Sequence, residues 1–132
     1  LNVDFQIGDA CSLPYPDNSF DTVMVTTVNY LLPGPERAFA EQARVAKPGG
    51  IIVTLDPDVS ISPARMRTYA KAQRMNLKNT LKLTAWASAA PIYYPFSEKR
   101  LKELYEGAGL KNILLERRLG GMVWFAKGFK QA

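Results

Sequence analysis

Residues 20–28, FDTVMVTTV, are almost continuously apolar or β-branched, and no other stretch limits the fold as tightly. A run of that kind, without a polar face, suits a strand buried on both sides within a parallel sheet. The next loop ends in Pro33-Gly34-Pro35, and Pro35 is well placed for a first helical turn. Residues 36–46 put Phe39, Ala43 and Ala46 on one stripe at helical spacing. Lys47 stands in the last turn, and Pro48-Gly49-Gly50 stops the helix. Residues 51–55 form a second short strand, apolar except for Thr54. Strand, helix and strand with little spare chain make a crossover unit, and a crossover joins parallel strands.

The flanking segments extend this pattern. Val3, Phe5 and Ile7 alternate with Asp4 and Gln6, which predicts a strand over 3–7 closed by Gly8 and Asp9. Pro14, Pro16, Asp17, Asn18 and Ser19 predict a loop. Downstream, Ser62-Pro63 pairs a cap with a first-turn proline and predicts a helix to about residue 77, followed by a second helix over 81–89. Pro91 and Pro95 bracket an aromatic loop. Ser97 caps a helix through residue 106, with Phe96 and Leu101 at the spacing of a hydrophobic staple. Residues 112–118 and 122–127 read as strands joined through Gly120-Gly121. The order of elements predicts one α/β domain, with a mainly parallel sheet and an antiparallel C-terminal hairpin.

Composition removes several kinds of chemistry. The 132 residues suffice for one domain and not for two ordinary ones. There is no histidine, so a His-centred triad, an HExxH zinc site and a histidine base are excluded. The single cysteine, Cys11, excludes an internal disulfide and a multi-cysteine metal site, and suits a reducing cytoplasm. No apolar run approaches the roughly 20 residues of a membrane span. The N-terminal segment lacks the pattern of a signal peptide. Opening on Leu1 inside a strand-like alternation, the chain reads as cut from something longer.

Four blocks in order carry a resemblance to a known family. They are Gly8-Asp9-Ala10 with Leu13-Pro14 and residues 16–21 (PDNSFD), Glu41 with residues 44–50 (RVAKPGG), residues 96–110 ending in Gly107-Ala108-Gly109-Leu110, and residues 120–127. Together they resemble the class I S-adenosylmethionine-dependent methyltransferases, of the small-molecule type that includes ubiquinone and menaquinone biosynthesis enzymes. The resemblance implies a Rossmann-like sheet and transfer of a methyl group from S-adenosylmethionine to a small-molecule acceptor. It also implies that residues 1–132 are a partial methyltransferase domain, with residues 56–96 as a helical lid or acceptor-binding insertion. The family's glycine-rich turn and the acid ending its second strand are not in this sequence, so the first two strands of the family's sheet are missing. In that sheet they lie between the third and fourth strands. The segment 3–7 is then left to dock beside 20–28, to hang loose, or to pair with another chain, and an unpaired edge invites self-association.

The resemblance also assigns site residues. Asp9 matches the acid that accepts from the adenine amine, and Ala10 the backbone N–H that meets a ring nitrogen; a turn-capping Asp9 is the plain alternative. Thr26 and Thr27 end the central strand, where open α/β sheets bind ligands, and are assigned to the cofactor. Asn29, Tyr30, Tyr93 and Tyr94 are assigned to the acceptor, Tyr30 standing where relatives often carry His or Arg. The aromatic patch of Trp86, Tyr93, Tyr94 and Phe96 suits an organic substrate or packing between lid and domain. Asp56 and Asp58 read mainly as loop and cap residues. No catalytic residue and no metal are implied. A non-catalytic fragment or degenerate paralogue acting as a scaffold is the alternative.

The net charge of +5 is concentrated. Arg65, Arg67, Lys71, Arg74, Lys78 and Lys82 fall within residues 60–90, which contain no acid. A solvated lid face is the simplest reading of this stripe; recognition of an anionic acceptor, a membrane surface or nucleic acid is the alternative. Only Tyr69 interleaves it, so the aromatic spacing of single-strand nucleic-acid binders is lacking, and a nucleic-acid partner is not favoured.

Overall fold

The computed structural model describes residues 2–132. Its elements are β1 (Phe20–Thr26), α1 (Glu36–Val45), β2 (Ala46–Pro57), α2 (Pro63–Ala72), α3 (Leu77–Ala89), α4 (Glu98–Gly107), β3 (Leu110–Arg118) and β4 (Val123–Lys130), with short 3-10 turns at Asn29–Leu31 and Ala90–Ile92. The sheet order is β1-β2-β4-β3. β1 and β2 pair in parallel, while β4 runs antiparallel to both β2 and β3. Three strands therefore share one direction and the fourth is inserted against them, the Rossmann-like arrangement expected.

The expected strand over 3–7 does not form. Residues 2–8 make no ladder, and Phe5 and Ile7 are 94% and 102% exposed. Alternation alone cannot hold a strand whose backbone has no neighbour to bond. The same lack of a neighbour corrects the reading of 20–28. β1 is an edge strand with Val23 and Val25 half-buried and Met24 64% exposed, so it is not covered on both faces.

The α1–β2 junction is tighter than expected. β2 begins at Ala46, directly after α1, and the register jumps from Phe20↔Ala46 to Thr22↔Ile51. Lys47 to Gly50 bulge out of the ladder between those pairs. A Cβ on Gly50 would stand 2.8 Å from the Lys47 carbonyl oxygen and 3.0 Å from that of Asp21, so only glycine fits.

α1 and α4 lie side by side against one face of the sheet. Phe39 and Tyr105 meet edge to face at 5.4 Å, and Phe39 meets Phe96 at 6.5 Å. The Tyr105 hydroxyl donates within reach of Thr54 Oγ1 at 3.1 Å and the Ala126 carbonyl at 3.0 Å, bridging β2 and β4. Ile52, Leu101, Leu104, Leu110, Trp124 and Ala126 complete this core. The opposite face, with Ile51, Leu55, Phe125 and Phe129, is only half-buried.

α2 and α3 form a hairpin inserted between β2 and α4. The insertion is pinched at its base. Phe96 N donates to the Pro57 carbonyl at 2.9 Å, Val59 N to the Phe96 carbonyl at 3.1 Å, and Trp124 Nε1 to the same Phe96 oxygen at 3.0 Å. α2 ends at Ala72, earlier than expected, and α3 starts at Leu77, earlier than the predicted residue 81. Asn76 sets that start by accepting from Asn79 N through its side chain.

Candidate active site

The candidate site lies at the C-terminal ends of β1 and β2, where the loop over residues 8–15, the Asn29–Leu31 turn and the α2–α3 insertion meet. Its floor is built by helix α1. Arg44 donates to both carboxylate oxygens of Glu41, at 2.7 and 2.8 Å, and to the carbonyls of Tyr15 (2.8 Å) and Leu13 (3.1 Å). It also donates to Asp17 at 2.7 Å. Glu41 accepts in turn from Leu13 N at 2.8 Å. The guanidinium beside it pulls the Glu41 carboxyl down to about 2. One charged pair on a helix thus ties down the loop over residues 13–17.

With that loop held, an apolar groove opens along β1. Ala10, Leu13 and Tyr15 line it from the loop, Val23 and Val25 from the strand, and Gln42 and Val45 from α1. It continues to Gly8, Pro14 and Val28. Asp9 stands between Gly8 and Ala10 and is exposed. Its Oδ1 accepts from Cys11 N at 2.8 Å, an Asx turn. Its other oxygen accepts no hydrogen bond among the described residues. Asp9 is therefore both turn former and free acceptor, so the two readings of this residue are compatible.

Thr26 and Thr27 are exposed at the strand end. Thr27 N is held by the Leu55 carbonyl at 2.7 Å, and its φ of 54° turns the chain sharply out of the sheet. Asn29 and Tyr30, assigned to the acceptor from sequence, are buried. Asn29 Nδ2 donates to Asp56 Oδ2 at 3.4 Å, and Gln42 Nε2 donates to Asn29 Oδ1 at 2.8 Å. Tyr30 N donates to Asp56 Oδ1 at 3.2 Å. The Tyr30 hydroxyl accepts from Trp86 Nε1 at 3.3 Å, and its carbonyl accepts from Tyr94 N at 2.9 Å. Tyr93 and Tyr94 are about half-exposed, and Tyr93 stands edge-on to Tyr30 at 6.0 Å. Phe96 belongs to the core.

Asp56 and Asp58 carry more than loop polarity. Both are buried. Burial pushes the Asp56 carboxyl up to about 7 against the hydrogen bonds from Tyr30 and Asn29. Asp58 Oδ1 accepts from Ser60 N at 2.8 Å, and its Oδ2 faces Arg117 at 3.7 Å, whose guanidinium lies 4.7 Å over the Trp124 ring. Gln42 was not singled out from sequence. The available signal was a lone polar residue on the helix face of Phe39 and Ala43.

Comparison with known proteins bears on the family and fold of the chain. Residues 1–54 match a family model described as a methyltransferase domain. The chain is 32% identical over 137 aligned positions to a demethylmenaquinone methyltransferase of Staphylococcus haemolyticus, covering 98% of this chain and 57% of that protein. The Staphylococcus aureus (strain Newman) protein of the same name is 31% identical, with 98% and 56% covered. The chain therefore spans a little over half the length of the curated relatives it matches. Among solved structures, a SAM-dependent methyltransferase from Methanosarcina mazei superposes with a TM-score of 0.63 at 19% identity, covering 97% of this chain and 67% of the other. Human N-acetylserotonin methyltransferase in complex with SAM gives 0.63 at 18% identity, covering 98% and 34%. These structures share the fold. In sequence and in fold the chain is similar to the class I S-adenosylmethionine-dependent methyltransferases. The relatives described above that match over nearly all of it carry the name demethylmenaquinone methyltransferase.

Proposed function

We propose that this chain forms the adenine-binding and acceptor-facing part of an enzyme that moves a methyl group from S-adenosylmethionine to a small organic acceptor. The observation that carries the reading is the exposed Asp9 carboxylate at the apolar groove of Ala10, Leu13 and Val25. A flat aromatic ring with an amine on its rim fits that lining: the walls take the ring faces, and a carboxylate accepts from an exocyclic amine. When bound, the cofactor supplies a sulfonium methyl that a nucleophile attacks in line, leaving a neutral thioether.

The work of the chain's own residues is then positioning. Asp9 and the Ala10 N–H fix the adenine end. Thr26 and Thr27 edge the strand terminus where the two substrates meet. Asn29, held by Gln42 and Asp56, sets the turn that presents Tyr30. Tyr93 and Tyr94 flank the mouth toward the acceptor. The names of the relatives favour a small-molecule acceptor of the demethylmenaquinone kind. Among the described residues no helix is long and apolar enough to cross a membrane; a cytoplasmic location belongs to the same proposal.

Calorimetric titration of the protein with S-adenosylhomocysteine tests this. One-to-one micromolar binding, weakened about tenfold or more in Asp9→Ala, is the expected result, the size being that of one lost charge-assisted hydrogen bond. A folded Asp9→Ala protein with unchanged affinity removes the adenine role. No binding by the folded chain favours the scaffold reading instead, which the open edge of β1 supports.

A further inference from the structure

The six basic residues within 60–90 fall on the α2–α3 hairpin and its approach. Arg65 is engaged, donating to the Ser60 carbonyl at 3.1 Å and the Gly120 carbonyl at 3.0 Å. Arg67, Lys71, Arg74, Lys78 and Lys82 are exposed. None of the five forms an ion pair among the described residues, whereas seven of the eleven basic residues elsewhere do: Arg44, Lys47, Lys99, Arg100, Lys102, Arg117 and Arg118. The hairpin therefore presents uncompensated positive charge.

A solvated face explains exposed lysines but not exposed leucines. Leu77 and Leu81 are 74% and 61% exposed and stand one helical turn apart on α3. Lys78 and Lys82 repeat that spacing one residue later. At 3.6 residues per turn the four side chains share an arc of roughly 140°. Ala87, fully buried, and Leu83, half-buried, lie on the other side of the helix. Where α3 runs into the Ala90–Ile92 turn, Ile92, Tyr93 and Tyr94 are exposed at 79%, 46% and 51%. Aliphatic side chains flanked by unpaired cations and an interfacial tyrosine pair match one environment, the boundary between acyl chains and anionic headgroups. Leucines enter it, lysines lay their stems along it and keep their charges at the phosphates, and tyrosines sit at its edge. A nucleic-acid strand would satisfy the cations and leave the leucines in water.

We propose that the α2–α3 hairpin docks on an anionic bilayer surface, with Leu77 and Leu81 entering the headgroup boundary and Lys78 and Lys82 at lipid phosphates. Lys71 and Arg74, near the hairpin turn, add to the attraction through the summed field within a Debye length. The inference does not depend on the acceptor's identity. One consequence is specific: α3 also carries Trp86, bonded to Tyr30, so docking brings the mouth of the candidate site to the membrane plane.

Co-flotation of the protein with vesicles of phosphatidylglycerol and phosphatidylcholine tests it, with pure phosphatidylcholine vesicles and a single-stranded oligonucleotide as comparisons. Binding to the anionic vesicles alone is expected, weakening as salt rises. Lys78→Gln with Lys82→Gln lowers that affinity about fivefold per charge removed. Leu77→Ser with Leu81→Ser lowers it as well while leaving the charge intact. All four residues are exposed, so far-UV circular dichroism stays unchanged in both variants. Absence from the anionic vesicles overturns the proposal. So does full retention of vesicle binding by the leucine variant, or binding to the oligonucleotide in preference to the vesicles.

Discussion

Asp56 shows how a single buried group orders its surroundings. As a carboxylate it only accepts, so Asn29 must turn its amide nitrogen toward it. Asn29 then offers its oxygen to Gln42, whose own Oε1 is left without a partner. Where Asp56 is ionised, the polarity of the whole row follows from the acceptor at one end. Burial lifts the Asp56 carboxyl from the ordinary 3.8 to about 7, so between those values the folded chain keeps a proton that the unfolded chain has released. Stability from this group therefore falls as pH rises across that window, by at most about 1.4 kcal/mol per pH unit, and levels off above it. Urea unfolding at several pH values across that window is expected to show this slope in the wild-type chain and its loss in Asp56→Asn. A slope that survives the substitution would assign it to another group. Glu41 acts in the opposite sense. Arg44 draws its carboxyl down to about 2, so its contribution is present above about 4.5 and lost as pH falls toward 2.

At the level of elements, α1 does two jobs on two faces. One face, with Ala38, Phe39 and Ala43, joins the core, and the other clamps the loop over residues 13–17 through Glu41 and Arg44. The helix end is closed from a distance: Lys130 Nζ donates to the Arg44 carbonyl at 3.2 Å and to the Ala46 carbonyl at 2.9 Å, meeting the negative end of the helix dipole. Replacing Arg44 with Ala removes several charge-assisted bonds from a part-buried site. A lower denaturation midpoint is expected, with weaker S-adenosylhomocysteine binding because the groove loses its loop wall. Calorimetry and denaturant titration on the same variant check both. Lost stability with unchanged binding would separate the clamp from the site.

On the scale of the whole molecule, the sheet has two edges, at β1 and at β3, and the β1 edge carries exposed apolar groups. Among the described residues β1 bonds only β2, and Met24 on that strand and Val3, Phe5 and Ile7 in the N-terminal segment are exposed. Unpaired strand groups next to apolar side chains are a template for a second chain. The 132-residue chain on its own is expected to self-associate with rising concentration in sedimentation velocity, and Met24→Lys is expected to reduce this. A concentration-independent monomer would show that residues 2–8 protect the edge in solution.

Sequence alone determined the helices, the strands from β1 onward and their order, because helical stripes, caps and glycine stops act over a few residues. Phe39 and Ala43, the Ser97 cap and the Gly120-Gly121 turn were all legible at that range. The four blocks of family resemblance were legible for the same reason. Only the tertiary structure decided what happens where distant segments meet. It left 3–7 unpaired, because a strand exists only with a partner. It turned Asn29 and Tyr30 inward onto Asp56 and Gln42, groups that lie 27 and 13 residues away from Asn29. It also left Leu77 and Leu81 in water, since which face of a helix is buried depends on the surface that it meets.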